Sequence, residues 1–138
     1  MSWQPVTDAV VIGKAGELLA MCVVEQLGFP TSHNPSQGFD ACLFKPDGTP
    51  IRLEVKTSRA SAESAGLRWK FQTATGSKTK KVISHKNCDI VCLVALDIRR
   101  CYFLAARDII NKQTTVYLEK FIDGEAESLE RAIKAAKV

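Results

Sequence analysis

Residues 39–57 constrain the fold most. Two runs of alternating polarity flank the turn Pro46-Asp47-Gly48, the pattern of a β-hairpin. The strands expected are Phe39 to Phe44 and Ile51 to Thr57. Successive strand side chains point to opposite faces. Ile51, Leu53 and Val55 therefore share a face that needs a core, while Arg52, Glu54 and Lys56 share the other. With the loop centred on Asp47, residue 44 faces 50, 42 faces 52 and 40 faces 54. Directly opposed residues in an antiparallel pair point to the same side, so Asp40 comes beside Glu54 with Lys56 just beyond. A slip of one residue sends Asp40 to the other face; the constellation depends on this register. A carboxylate and an ammonium side by side on such a strand can hold a divalent cation and a water against a phosphodiester.

An acidic residue two before a lysine is weak on its own, arising by chance about once in a chain of this length. Its bland reading is a solvated strand face. The surroundings add weight. A helix is expected over Val6 to Leu27, with Thr7 or Asp8 as its cap, Leu18, Leu19, Cys22 and Val23 as its buried stripe, and Gly28 as its stop. It carries Glu17 beside Gly13 and Gly16. Each internal glycine costs about 1 kcal/mol relative to Ala, so a close approach or a functional turn is expected there.

Residues 29–38 read as turns and 58–66 as a mobile polar loop. Leu67 to Thr73 alternates again, with Trp69 and Phe71 packing on one side and Arg68, Lys70 and Gln72 on the other. A loop over Thr75 to Lys81 follows, then a nearly all-apolar central strand, Asp89 to Leu96, with its hairpin partner Arg99 to Ala105. A short helix near Arg107 to Asn111, a strand near Thr114 to Leu118 and an amphipathic helix from about Asp123 to Lys137 complete the chain. That last helix places Ala126, Leu129, Ile133 and Ala136 on one stripe.

Charge is unevenly spread. Residues 56–86 hold eight basic residues and one acidic one, the remainder eleven basic and fourteen acidic, so a chain of net charge +4 is +7 in this segment and −3 elsewhere. Lys70, Lys78, Lys80, Lys81 and Lys86 lie where a polyanion would run past Glu54 and Lys56. At 138 residues one domain, 1–138, is expected. No apolar run approaches a membrane span and the first residues lack a secretion signal. Five cysteines without a CxxC pair read as reduced core residues of a cytoplasmic protein. His33 and His85 lack ligand spacing to any of them and read as incidental.

Taken in order, Gly-Lys-Ala-Gly-Glu17, Gly-Phe-Asp40 and Leu-Glu54-Val-Lys56-Thr-Ser resemble the signature of the PD-(D/E)XK nuclease superfamily. The resemblance is greatest to its small branch of Holliday-junction resolvases and group I intron homing endonucleases, and covers roughly residues 8–105. Phe39 stands where the superfamily's name has proline. The resemblance implies an α/β fold with a restriction-endonuclease-like central mixed sheet flanked by helices. It implies a DNA endonuclease in which Glu17, Asp40, Glu54 and the carbonyl of Val55 hold Mg²⁺, with Mn²⁺ able to substitute, and Lys56 orients or deprotonates a water. Gln72 is a further site candidate on the next strand. The partners implied are duplex or branched DNA and a second copy of the chain, with the last helix and the apolar strand pair as interface elements. A DNA-binding module of the same fold without catalysis is the alternative.

Overall fold

The structure is a computed structural model that describes residues 8–34, 38–61, 67–76 and 78–138. The expected helix start at Val6, the Thr7 cap and most of the loop 58–66 lie outside the described residues.

Helix α1 (Ala9–Gln26) begins at Asp8, whose Oδ1 accepts hydrogen bonds from the N–H groups of Val10 and Val11 at 2.9 and 3.2 Å. These are donors that a helix start otherwise leaves unpaired. A five-stranded mixed sheet follows, in spatial order β1 (Thr31–His33), β2 (Ala41–Phe44), β3 (Pro50–Ser58), β7 (Ile90–Ala95) and β8 (Arg100–Ala105). β3 and β7 are parallel and the other pairs antiparallel. The hairpin has the register that its turn dictates, with Phe44 opposite Pro50 and Cys42 opposite Arg52. β1 was not expected; it lies in the stretch read as turns and exists because β2 offers it a pairing edge.

One face of the sheet, carrying Ile51, Leu53, Val55, Ile90, Cys92 and Val94, packs against α1 and the later half of α2 (Leu118–Ala136). The opposite face is covered by a two-stranded ribbon, β4 (Arg68–Gln72) paired antiparallel with β9 (Gln113–Tyr117). Trp69 and Phe71 bury themselves there against Val91, Leu93 and Ala95. A second small hairpin, β5 (Ala74–Thr75) with β6 (Lys81–Val82), brackets the loop expected at that point, pairing its end residues Thr75 and Lys81. The helix expected near Arg107 is a single 3₁₀ turn, Ala106–Asp108.

α2 begins five residues before its expected start. Its first turn is held by fully buried Phe121, which meets Trp69 edge-to-face at 5.3 Å and Tyr102 at 6.5 Å. The helix then runs along the free edge of β8. There Glu125 Oε2 accepts the N–H of Cys101 at 2.7 Å and Ser128 Oγ that of Phe103 at 3.0 Å. Those side chains satisfy edge donors that could otherwise pair with another strand.

β7 is buried throughout and α2 buries Phe121, Leu129, Ala132 and Ala136, with Ala126 of the expected stripe exposed; the exposed large apolar residues of the first helix are Val10, Val11 and Leu18. The buried side of α1 is correspondingly Gly16, Ala20, Val23 and Val24, with Leu18 and Cys22 facing outward. Gly16 sets that rotation. A Cβ there would overlap the Thr57 hydroxyl and lie 2.8 Å from Thr57 Cβ, so α1 seats against β3 only where no side chain stands between them. Gly13, one turn earlier, has open space beside it. No helix among the described residues is long and apolar enough to cross a membrane.

Candidate active site

β3 outruns β2, and the site forms in the gap. The ladder between them ends at Ala41 and Leu53, with Asp40 N still donating to Leu53 O at 2.9 Å. From Glu54 to Ser58 β3 is paired only on its other side, with β7. The N–H of Val55 is thereby left facing the gap, and Asp40 Oδ2 accepts it at 2.7 Å. One contact both completes the backbone pairing and fixes the Asp40 carboxylate at the mouth of the gap.

Asp40 lies close enough to both Glu54 and Glu17 for its carboxylate to raise theirs. Glu54 stands beside it as the hairpin register requires. Glu17 arrives from α1, carried to this edge by the close seating of Gly16 on Thr57. Together with Val55, Lys56, Thr57 and Arg59 these groups line a cleft of about 440 Å³ whose other wall is Ala9, Ile12 and Gly13 of α1. Lys56 occupies the next outward position after Glu54 on β3.

The electrostatics follow from crowding. Burial, reinforced by the neighbouring Asp40 carboxylate, pushes the Glu54 carboxyl up to about 8; the Lys56 ammonium opposes this. Burial and the Asp40 charge raise Glu17 as well, against the lowering influence of His33. His33 Nε2 lies 3.7 Å from Glu17 Oε1. Among the described residues no three His, Cys, Asp or Glu side chains stand in a finished ligating arrangement around one point. The donor chemistry is nevertheless that of a hard cation: carboxylate oxygens that repel one another when ionised, in a cleft open enough for the ion to keep waters. A divalent charge among them would reverse the sign of the repulsion that raises Glu54.

The cleft thus gathers Glu17, Asp40, Glu54, Val55 and Lys56. Gln72 is not among its lining residues; it is exposed at the end of β4, opposite Gln113. The lysines lie elsewhere. Lys70 is on the exposed side of β4, while Lys81 and Lys86 line a separate cavity of about 680 Å³ with His85 and Ser84, and Lys78 and Lys80 are exposed nearby. The segment carrying Lys86 is tied to β3 by Arg52. Its guanidinium pairs with Asp89 at 3.1 Å and donates to the carbonyls of His85 and Lys86 at 2.8 and 3.3 Å. Arg59, Thr57 and His33 were missed as neighbours of the site. Arg59 and Thr57 had only their closeness to Lys56 to mark them, and His33 had no spacing signal at all.

No family model matches the chain, and no curated protein does. Among solved structures, that of a bacterial homing endonuclease, I-Ssp6803I, superposes with a TM-score of 0.67 at 9% identity, over 80% of this chain and 78% of that one. The fold is that of a mixed five-stranded sheet with two helices, similar to this endonuclease.

Proposed function

We propose that the chain is a metal-dependent DNA endonuclease of the PD-(D/E)XK type. The observation that carries this reading is the Asp40 carboxylate, pinned by the Val55 N–H and pressed between Glu54 and Glu17 in a cleft that Lys56 lines. The likeness of the fold to a homing endonuclease points the same way.

Glu17, Asp40, Glu54 and the Val55 carbonyl would hold Mg²⁺ or Mn²⁺. What such an ion supplies is charge neutralisation at the phosphate and a lowered pKa for the attacking water. The protein's own groups do the rest. Asp40 cannot swing away from the cleft without leaving the Val55 N–H unpaired, so its oxygens are preorganised. Lys56 Nζ donates to the scissile phosphate and to the water that attacks it, holding the two in line and offsetting the charge that builds on the phosphoryl oxygens. Arg59, on the same strand's exit, meets the neighbouring phosphate. One such site cuts one strand, so cutting both requires a second copy of the chain.

The test is cleavage of supercoiled plasmid and of synthetic duplex and branched DNA, with Mg²⁺ and with EDTA, alongside binding across a salt series. The expected result is Mg²⁺-dependent nicking and an affinity that falls steeply between 50 and 200 mM salt, by on the order of 10³-fold or more for six phosphate contacts. Salt-dependent binding without cleavage in either Mg²⁺ or Mn²⁺ would instead leave a binding module of this fold.

A further inference from the structure

We propose that the outer face of the β4–β9 ribbon enters the major groove of duplex DNA and reads base edges there, with Gln72 and Gln113 as the specificity-determining pair. The proposal rests on the endonuclease reading and adds to it the surface that selects the cutting position.

The register carries the first part. Arg68 lies opposite Tyr117, Lys70 opposite Thr115 and Gln72 opposite Gln113. Opposed residues share a face, so these six side chains form one surface. It is the outward one, since Trp69, Phe71 and Val116, which alternate with them, are buried. Lys70, Gln72, Gln113, Thr115 and Tyr117 are exposed. Neither strand contains an acidic residue.

Placement carries the second part. The ribbon's buried side rests on Val91 and Leu93 of β7, and those residues pair with Glu54 and Lys56 of β3. In parallel pairing they point to the same face of the sheet, so the ribbon covers the face from which Glu54 and Lys56 project, one strand away. A duplex lying across the ribbon is therefore on the same side of the sheet as the Glu54 and Lys56 side chains.

Chemistry selects bases over phosphates. A two-stranded ribbon fits the major groove, where a glutamine amide can pair bidentately with adenine, threonine can meet a thymine methyl, and lysine can reach the acceptors of guanine. Neutral amides and hydroxyls add almost nothing to non-specific attraction. That attraction is available from Lys78, Lys80, Lys81 and Lys86 nearby, all exposed. Outward residues along a strand recur every ~6.7 Å, about two base steps of 3.4 Å, so three opposed pairs span on the order of four to five base pairs.

The experiment is selection from a randomised duplex library by the full chain, reading both retained and cleaved sequences, for wild type, Gln72→Ala/Gln113→Ala and Lys80→Ala/Lys81→Ala. Thermal unfolding of each variant confirms folding. In the glutamine variant, preference at one or two base positions is expected to flatten by about tenfold each. Its salt dependence and its cleavage rate on unselected DNA should stay at wild-type values. The lysine variant should lose affinity evenly over all sequences and show a shallower salt slope. A wild type that cuts DNA with a preference the glutamine variant keeps, or with none at all, overturns the ribbon proposal and leaves the endonuclease reading standing. A wild type that neither binds nor cuts any duplex overturns both.

Discussion

Lys56→Ala is expected to slow DNA cleavage by about 10³-fold while duplex affinity stays within about twofold of wild type. The two halves have separate causes. Lys56 is the cation next to Glu54 on β3 and lines the cleft with Glu17, Asp40 and Arg59. In the proposed reaction its ammonium acts on charge that grows only as the phosphate is attacked, so its removal falls on the rate. On the same reading affinity would be spread over the exposed lysines around β5 and β6, and one phosphate contact among several would carry little of it. Lys80→Ala/Lys81→Ala should show the mirror image, with weakened binding at low DNA concentration and a near-normal rate at saturation. Single-turnover cleavage with saturating DNA, together with a binding isotherm in Ca²⁺, separates the two. Equal single-turnover rates for wild type and Lys56→Ala would remove Lys56 from the chemistry.

Gly16→Ala should destabilise the fold by about 2 kcal/mol or more, although alanine is the better helix former. The added methyl would overlap the Thr57 hydroxyl and crowd Thr57 Cβ at 2.8 Å and Cγ2 at 2.9 Å. Thr57 is paired with Val94 in β3, so its Cβ is held by the sheet backbone. α1 must therefore lift or rotate, and Glu17, the next residue, leaves Asp40 with it. Loss of cleavage should accompany the loss of stability. Thr57→Ala in the same chain removes the hydroxyl and Cγ2 and should restore part of both. Gly13→Ala is the internal comparison. Its methyl meets nothing within 4 Å, so it should stabilise the free protein by roughly 0.5–1 kcal/mol. Denaturant midpoints for wild type and the three variants decide this. A Gly16→Ala protein as stable as wild type would mean that the helix does not seat where Gly16 meets Thr57.

The difference between those two glycines shows what a sequence can and cannot convey. The hairpin register was legible because its causes are local: a tight turn at Pro46-Asp47-Gly48 and a strict alternation on each side, and the pairs 42/52 and 44/50 follow. The buried face of α1 was not. Apolar residues occur all around that helix, so no stripe decides its rotation, and the deciding contact is with Thr57, 41 residues away. β4 and β9 were each readable as strands. Their pairing with one another was not, since nothing in either five-residue segment specifies a partner about forty residues distant. The start of α2 lies before the expected Asp123 because burial of Phe121 among Trp69, Phe71 and Tyr102, a contact made across the fold, holds the preceding turn helical. At the cleft, Asp40, Glu54 and Lys56 were visible through strand alternation. His33 reaches Glu17 through a three-residue strand that forms only because β2 is there to pair with it.

The central claim is that Glu17, Asp40 and Glu54 act together as a divalent-cation site, and metal-linked stability tests it without relying on catalysis. Glu54 is raised from its ordinary value near 4.5 to about 8 in the folded chain. The folded state therefore holds that proton more tightly than the unfolded one. The associated stability is fully present below about pH 4.5 and is lost as pH rises through about 8. After allowing for the solvated mouth of the cleft, the loss is on the order of 2 kcal/mol. The measurement is the unfolding temperature of wild type and Glu54→Gln from pH 5 to pH 9, in EDTA and in Mg²⁺ or Mn²⁺ at about ten times the dissociation constant. Wild type in EDTA should weaken as pH rises and regain on the order of 5 °C with metal at the alkaline end. Glu54→Gln should show a flatter pH dependence and little response to metal. A wild type indifferent to both ions at pH 9, or a variant that gains as much as wild type, would contradict the account.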